Sequence, residues 1–275
     1  MLKTVFPERM KKKDKGYRDR WWQYARQGKD LYQAIKTNKK VLVRTQASKH
    51  NFVDFVEIGY VYDQKLVVFK DEDFVEYSFL NSTIHDIWAG KLSGDFGGIP
   101  NYSPSRIYET FPFITNKNEF LYISELGYKY YTQRRAVINI LKQGLTQVYN
   151  LFHAKDLTIS EIQKTSKQDE ANCKKAFDDI TKLRELHKQM DEAVLGAYVW
   201  SDIQLLHDFY EVDYLPENDR VRFTIHPDAR KEVLKRLLEL NHKIHEEEVA
   251  ASLLEVKPAK KSKKKETNPS QNELF

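Results

Sequence analysis

A change of hydrophobic period near residue 115 limits the folds open to this chain. Beyond it, Phe120, Ile123, Leu126, Tyr130, Val137, Leu141 and Leu145 recur at helical spacing, and Asn118 is a suitable N-cap. The same period returns at Ile180, Leu183, Leu186, Met190, Val194 and Ala197, and again in "HPDARKEVLKRLLELNHKIHEEE", where Pro227 sits as an early-helix proline. Only "VRFTI" (221–225) interrupts as a strand. Before residue 115 the texture is mixed. "KVLVRTQ" (40–46), "FVDFVEIGYVY" (52–62) and "KLVVF" (65–69) are rich in Val, Phe and Tyr and read as strands, the last two joined near Asp63-Gln64. "WWQYARQGKDLYQAIKT" reads as a helix interrupted at Gly28, with Trp22, Ala25, Leu31, Ala34 and Ile35 inward. Phe74, Tyr77, Leu80, Ile84, Ile87 and Trp88 trace one further helix, and "SGDFGGIPNYSPS" (93–105) reads as a long loop. The expected class is α+β: a mixed domain over 1–115, a mostly helical domain over 116–256, and a disordered basic tail over 257–275.

Charge is distributed unevenly. Residues 1–49 hold fifteen Lys/Arg against four Asp/Glu, and 257–265 hold six lysines and no acid, so the middle of the chain is acidic although the whole carries +5. A basic block on a folded region is an electrostatic footprint for phosphate. A lysine-rich tail is weaker evidence, since such tails are commonly solvated appendages. Cys173 is the single cysteine, which excludes an internal disulfide framework and fits a reducing compartment. No apolar run approaches the ~20 residues that span a bilayer. "MLKTVFPERM" has no signal-peptide core. The expected location is cytoplasmic, with no membrane partner.

Several chemistries lack their residues. No phosphate-binding G-x-x-x-x-G-K-[S/T] and no G-x-S-x-G occur, and "GDFGG" (94–98) has no following lysine. His242 and His245 stand at i, i+3 without further ligands nearby in sequence and read as a solvated helix face. Asp54 with Asp63-Gln64-Lys65 imitates the acid…acid-x-Lys grammar of metal-dependent nucleases, but in short strands whose faces alternate. We assign no catalytic and no metal residue.

Two stretches carry nucleic-acid chemistry. "ERMKKKDKGYRDRWW" packs Arg9, Lys11, Lys12, Lys13, Lys15, Arg18 and Arg20 ahead of Trp21 and Trp22. These cations suit phosphates. The tryptophans read as core anchors, one of them half-exposed. "VRTQASKHN" (43–51) delivers Arg44, Thr45, Gln46, Ser48, Lys49, His50 and Asn51 from a strand into a polar turn. Arg and Lys match guanine edges, Asn and Gln match adenine, and Ser and Thr suit phosphates. An ordinary polar turn fits this composition equally well.

These stretches also carry a resemblance. "FPERMKKKDKGYRDRWWQYARQGKDLYQAIKTNKKVLVRTQASKHNFVDFV" is similar to the target-recognition region of large bacterial adenine-N6 DNA methyltransferases, the single-chain type II restriction-modification enzymes and related phage-defence enzymes. "YSPSRIYETFPF" (102–113) resembles the segment closing that region, and "LRELHKQMDEAVLGAYVW" (183–200) and "RFTIHPDARKEVLKRLLELNHKIHEEE" (222–248) resemble its helical C-terminal part. The resemblance implies a double-stranded DNA partner and a methyltransferase domain or subunit that binds AdoMet. This sequence has neither the glycine-containing AdoMet loop nor the [N/D]-P-P-[Y/F/W] motif of that domain; it holds no Pro-Pro, and "NPSQ" (268–271) lacks the second proline and the aromatic. No cofactor is therefore expected in this chain. It reads as the specificity part of such an enzyme, separately encoded or a fragment. Arg9, Lys11, Lys12, Lys13, Lys15, Arg18 and Arg20 are then expected on phosphates, and Arg44, Thr45, Gln46, Ser48, Lys49 and His50 at base edges. The competing reading is a helical protein-interaction subunit.

Overall fold

A computed structural model of the chain describes residues 1–23, 28–114 and 120–251. Ala25, Asn118 and the 257–275 tail, each the subject of an expectation above, lie outside them. The N-terminal segment forms three short helices, α1 (Val5–Met10), α2 (Lys15–Asp19) and α3 (Lys29–Ala34), none with a buried residue. Of the expected inward positions here, Ile35 is buried and Leu31 half-buried, but Ala34 and Trp22 are exposed. The tryptophans lie in the turn after α2 rather than on a helix face, so helical spacing has no bearing on their burial.

β1 (Lys40–Thr45) is the centre of a three-stranded antiparallel sheet in the order β2-β1-β3, with β2 (Asp54–Glu57) and β3 (Leu66–Phe69). The hairpin expected between the last two does not form; each pairs with β1, placing Leu42 opposite both Phe55 and Phe69. Val41 and Leu42 are both fully buried, and successive strand residues face opposite sides of a sheet. A strand apolar on both faces belongs inside a sheet, with the more polar strands at its edges.

The single helix expected from Phe74 is two, α4 (Phe74–Asn81) and α5 (Thr83–Leu92). Ser82 adopts ψ 155°, closes α4, and accepts the His85 amide at 3.2 Å as the N-cap of α5. Apolar periodicity runs through this break because both helices bury residues in the same core. The segment expected as a loop is instead a hairpin of β4 (Gly94–Phe96) and β5 (Ile99–Asn101), followed by α6 (Pro104–Ile107). Gly97 (φ 65°) and Gly98 (φ 84°) supply the two left-handed residues of its turn.

The helical part contains α7 (Phe120–Leu141), α8 (Leu145–Phe152), α9 (Ile159–Ser166), α10 (Glu170–Ala197) and α11 (Pro227–Ala250). Leu145 opens α8 rather than extending α7, because Lys142 turns the chain at φ 53°. α9 carries a reciprocal cap in which the Thr158 side chain accepts the Glu161 amide and the Glu161 side chain accepts the Thr158 amide. The expected strand is present as β7 (Val221–Thr224), antiparallel to β6 (Asp208–Glu211). Among the described residues no helix is long and apolar enough to cross a membrane. The fold is α+β.

The larger core crosses the boundary expected near residue 115. Leu42, Phe55 and Phe69 from the sheet and Val53 just before β2 share it with Leu183, Met190 and Val194 of α10 and Val233 of α11. Each such side chain contributes about 1.5–3 kcal/mol by leaving water. α4 and α7 cross so closely that a Cβ on Gly127 would lie 2.7 Å from the Phe74 carbonyl oxygen. A second cluster, from Val137 and Leu141 through Val148 and Ile162 to Cys173 and Ile180, joins the end of α7 to α8, α9 and the start of α10.

Candidate nucleic-acid interface

The basic N-terminal block is a folded surface. Asp14 caps α2 by accepting the Tyr17 amide at 3.2 Å. Arg18 Nη1 donates to the carbonyl oxygens of Lys12 and Lys13, each at 2.8 Å, and fastens the loop between α1 and α2. Arg9 lies 4.7 Å over the Tyr17 ring and donates to the Gln23 carbonyl at 3.4 Å. These two arginines are half-buried and hold the shape. Lys11, Lys12, Lys13, Lys15 and Arg20 are exposed. Lys11 pairs with Glu8 at 2.8 Å on the surface, a contact worth about 0–1 kcal/mol that leaves the ammonium open to other anions. The seven cations thus divide into five that face solvent and two that position them.

The polar turn after β1 is held firmly. The Gln46 amide donates to the Lys65 carbonyl and the Gln46 carbonyl accepts the Tyr102 amide, both at 2.8 Å. The Ser48 amide donates to the Pro100 carbonyl at 3.2 Å, and the Ser48 hydroxyl accepts the His50 amide at 3.0 Å. The turn is bonded to the end of β5 and to the residue before β3.

Within the expected base-reading set the side chains differ in burial. Arg44 is 6% exposed; its Nη1 donates to Asn51 Oδ1 at 2.6 Å and its guanidinium lies 3.9 Å over the Tyr102 ring. Burial lowers its pKa to about 10, which still leaves it charged at neutral pH. His50 is 2% exposed, bonded to Asn150 Oδ1 of α8 at 3.0 Å and stacked on His153 with ring centroids 5.6 Å apart. Burial, then the nearby Arg222 charge, holds its pKa down to about 4, so the ring is neutral at pH 7. Both side chains point inward because strand alternation buries Arg44 and the tight Ser48–His50 turn swings the imidazole toward α8. Lys49 is half-buried and paired with Asp219 at 2.7 Å. Thr45 is exposed and Gln46 half-buried, and among the described residues their side chains make no hydrogen bond. Gln46 lines a groove of about 490 Å³ along β3 that also takes in Tyr62, Asp71, Pro104 and Tyr108.

Other polar groups do structural work that sequence reading missed. Arg134, fully buried on α7, donates to the Val53 carbonyl and Asp54 Oδ1 at 2.9 Å, to Asn81 Oδ1 at 3.2 Å and to the Tyr149 hydroxyl at 3.1 Å. Arg135 takes the other Asp54 oxygen at 3.0 Å. Asp54, weighed above as a nuclease carboxylate, is the anion of this network, while Asp63 accepts the Lys65 amide at 2.8 Å in a local turn. Asp191 of α10, fully buried, accepts the Thr83 amide at 2.7 Å and His207 Nε2 at 2.8 Å. No signal in the sequence pairs these partners, which lie 15 to 108 positions apart. No group of three His, Cys, Asp or Glu able to hold a metal ion occurs among the described residues, and His242 and His245 are both exposed.

No family model matches the chain, and no curated protein matches it. Among solved structures it is similar to part of a restriction-modification enzyme, and the fold is of that kind. That protein is the type IIL restriction-modification enzyme MmeI in complex with DNA, at a TM-score of 0.50 and 18% identity, over 89% of this chain and 26% of that one. The chain spans about a quarter of that protein's length.

Proposed function

We propose that this chain is the DNA sequence-recognition part of an adenine-N6 DNA methyltransferase of the restriction-modification kind. It holds duplex DNA while a methyltransferase domain outside this sequence flips and modifies the adenine. The observation that most supports this reading is the fold likeness, which takes in 89% of the chain and comes from a DNA-bound restriction-modification enzyme. A base can be modified only once it leaves the stack, so the flanking pairs must be held in register. Lys11, Lys12, Lys13, Lys15 and Arg20 give sequence-independent affinity through phosphates. Base reading falls to Thr45 and Gln46, with Ser48 and Lys49 beside them, on a turn whose backbone is bonded on two sides. Arg44 and His50 act beneath them as its mount.

AdoMet is not assigned to this chain. Gly94–Gly98, its densest glycine stretch, belongs to a β-hairpin. The purified chain should enrich a common sequence from a pool of random duplexes and should transfer no labelled methyl group from AdoMet. Duplex binding without any enrichment, or methyl transfer abolished by a point change in this chain, overturns the reading.

A further inference from the structure

We propose that Trp22 is a base-stacking residue, receiving an unpaired nucleobase of DNA held by the basic block; this rests on the DNA-binding reading above. Trp22 is 54% exposed, whereas Trp88 is buried at 1% and Trp21 and Trp200 are half-buried. Its indole is braced. The Phe6 ring of α1 meets Trp21 edge-on with centroids 5.1 Å apart, and Trp21 meets Trp22 edge-on at 5.9 Å. Trp22 is the outer member of this three-ring ladder. The apolar face of an exposed indole gains by leaving water, and bracing removes part of the entropy it would lose on stacking.

The surroundings select the occupant. Lys11, Lys12, Lys13, Lys15 and Arg20 are exposed in the same segment, while Glu8 is neutralised by Lys11 and Asp14 is engaged as the α2 cap, leaving Asp19 as the remaining acid. The cations favour a polyanion and the ring favours a π-face. Nucleic acid with a base out of the stack presents both on one polymer, and base–aromatic stacking is worth about 1–3 kcal/mol per base. In an enzyme that flips an adenine, the opened site offers such a base.

The test uses the full chain with four probes: a matched duplex, the same duplex carrying one mismatched pair, heparin, and vesicles of anionic phospholipid. The wild-type chain should bind the mismatched duplex about tenfold more tightly than the matched one. Trp22→Ala should abolish that preference with heparin binding unchanged, and Trp22→Phe should retain most of it. Indole emission should be quenched by the mismatched duplex in the wild-type chain and much less in Trp22→Phe, a readout independent of whether the alanine variant folds. Equal preference in wild type and Trp22→Ala overturns the proposal while leaving the DNA-binding reading intact. Absence of duplex binding by the wild type defeats both. A loss on vesicles larger than the loss on DNA assigns the ring to a lipid surface and also overturns it.

Discussion

Replacing Lys11, Lys12 and Lys13 together with alanine separates phosphate attraction from base reading. The structure makes this a clean perturbation. The Lys12 and Lys13 side chains are exposed, and what they give the fold is their carbonyl oxygens, which Arg18 holds at 2.8 Å and which alanine retains. Lys11 loses only a surface pair with Glu8. Three lost phosphate contacts at roughly 0.9 each lower the slope of log K against log salt by about 2.7. Between about 50 and 200 mM salt the parent chain should therefore lose about 1.6 decades more affinity than the variant. Fluorescence anisotropy with a labelled duplex across that range measures both slopes, and circular dichroism checks that the variant is folded. Arg18→Ala is the informative contrast. It removes one charge but frees two carbonyls, so it should disturb the α1–α2 loop as well as binding. An unchanged slope in the triple variant refutes the reasoning, and an altered sequence preference at unchanged slope would make these lysines base readers.

Gln46→Ala should cost about 1–3 kcal/mol of discrimination at one base position with little change in melting temperature, whereas Arg44→Ala should lower the melting temperature; a site-preference profile with thermal melts checks both, and the reverse pattern defeats the division between reader and mount. Arg134→Met takes the Arg134 donor from the Val53 carbonyl and breaks the ion pair with Asp54 Oδ1, and should cost about 3–5 kcal/mol, roughly 6–20 °C in melting temperature, while Arg135→Ala at the half-exposed end of the same Asp54 carboxylate should cost under about 1 kcal/mol. Equal losses from the two would show that the network is not centred on Arg134. Stability should peak near pH 6.5. Burial holds the pKa of His50 down to about 4 and of His85 to about 3, so the unfolded chain binds protons first as pH falls below 6.5 and stability is lost on that side. Burial, then the nearby Asp71, pushes Glu76 up to about 8, so stability also falls as pH rises toward 8. Urea midpoints from pH 4 to 9 test this, and Glu76→Gln should flatten the alkaline limb and steepen the acid limb above about pH 4.5, since the unfolded carboxyl loses its proton there while the folded one keeps it up to about 8.

The long helices were legible because burial on one helix face writes a 3.6-residue period into the sequence. Ile180, Leu183, Met190 and Val194 are each fully buried where the spacing placed them, as are Ile123, Tyr130 and Val137. The central strand was legible from its Val and Leu run. Local chemistry was present but under-read at two places: the cap at Ser82, masked by a period running through it, and the Gly97-Gly98 pair, which marks a hairpin turn as readily as a loop. The remaining features depend on partners distant in the chain. Which strand sits between the other two, and that Phe79 meets Tyr198 across the expected domain boundary, follow from how several apolar faces share one core. The cations at 9–20 could be seen as a block, but only packing divides them into five that face solvent and two that hold the turn. Arg44, His50 and Trp22 show the limit most clearly. Residue type placed the first two at base edges and Trp22 inward, whereas the side chains of the first two are buried and Trp22 is 54% exposed. A side chain's burial is set by which element covers it, and here the covering groups are Tyr102 over Arg44 and α8 over His50, while among the described residues Trp22 remains largely exposed at the end of its ladder of rings. A sequence records what a residue can bond to; only the tertiary structure decides whether that partner is already supplied from within.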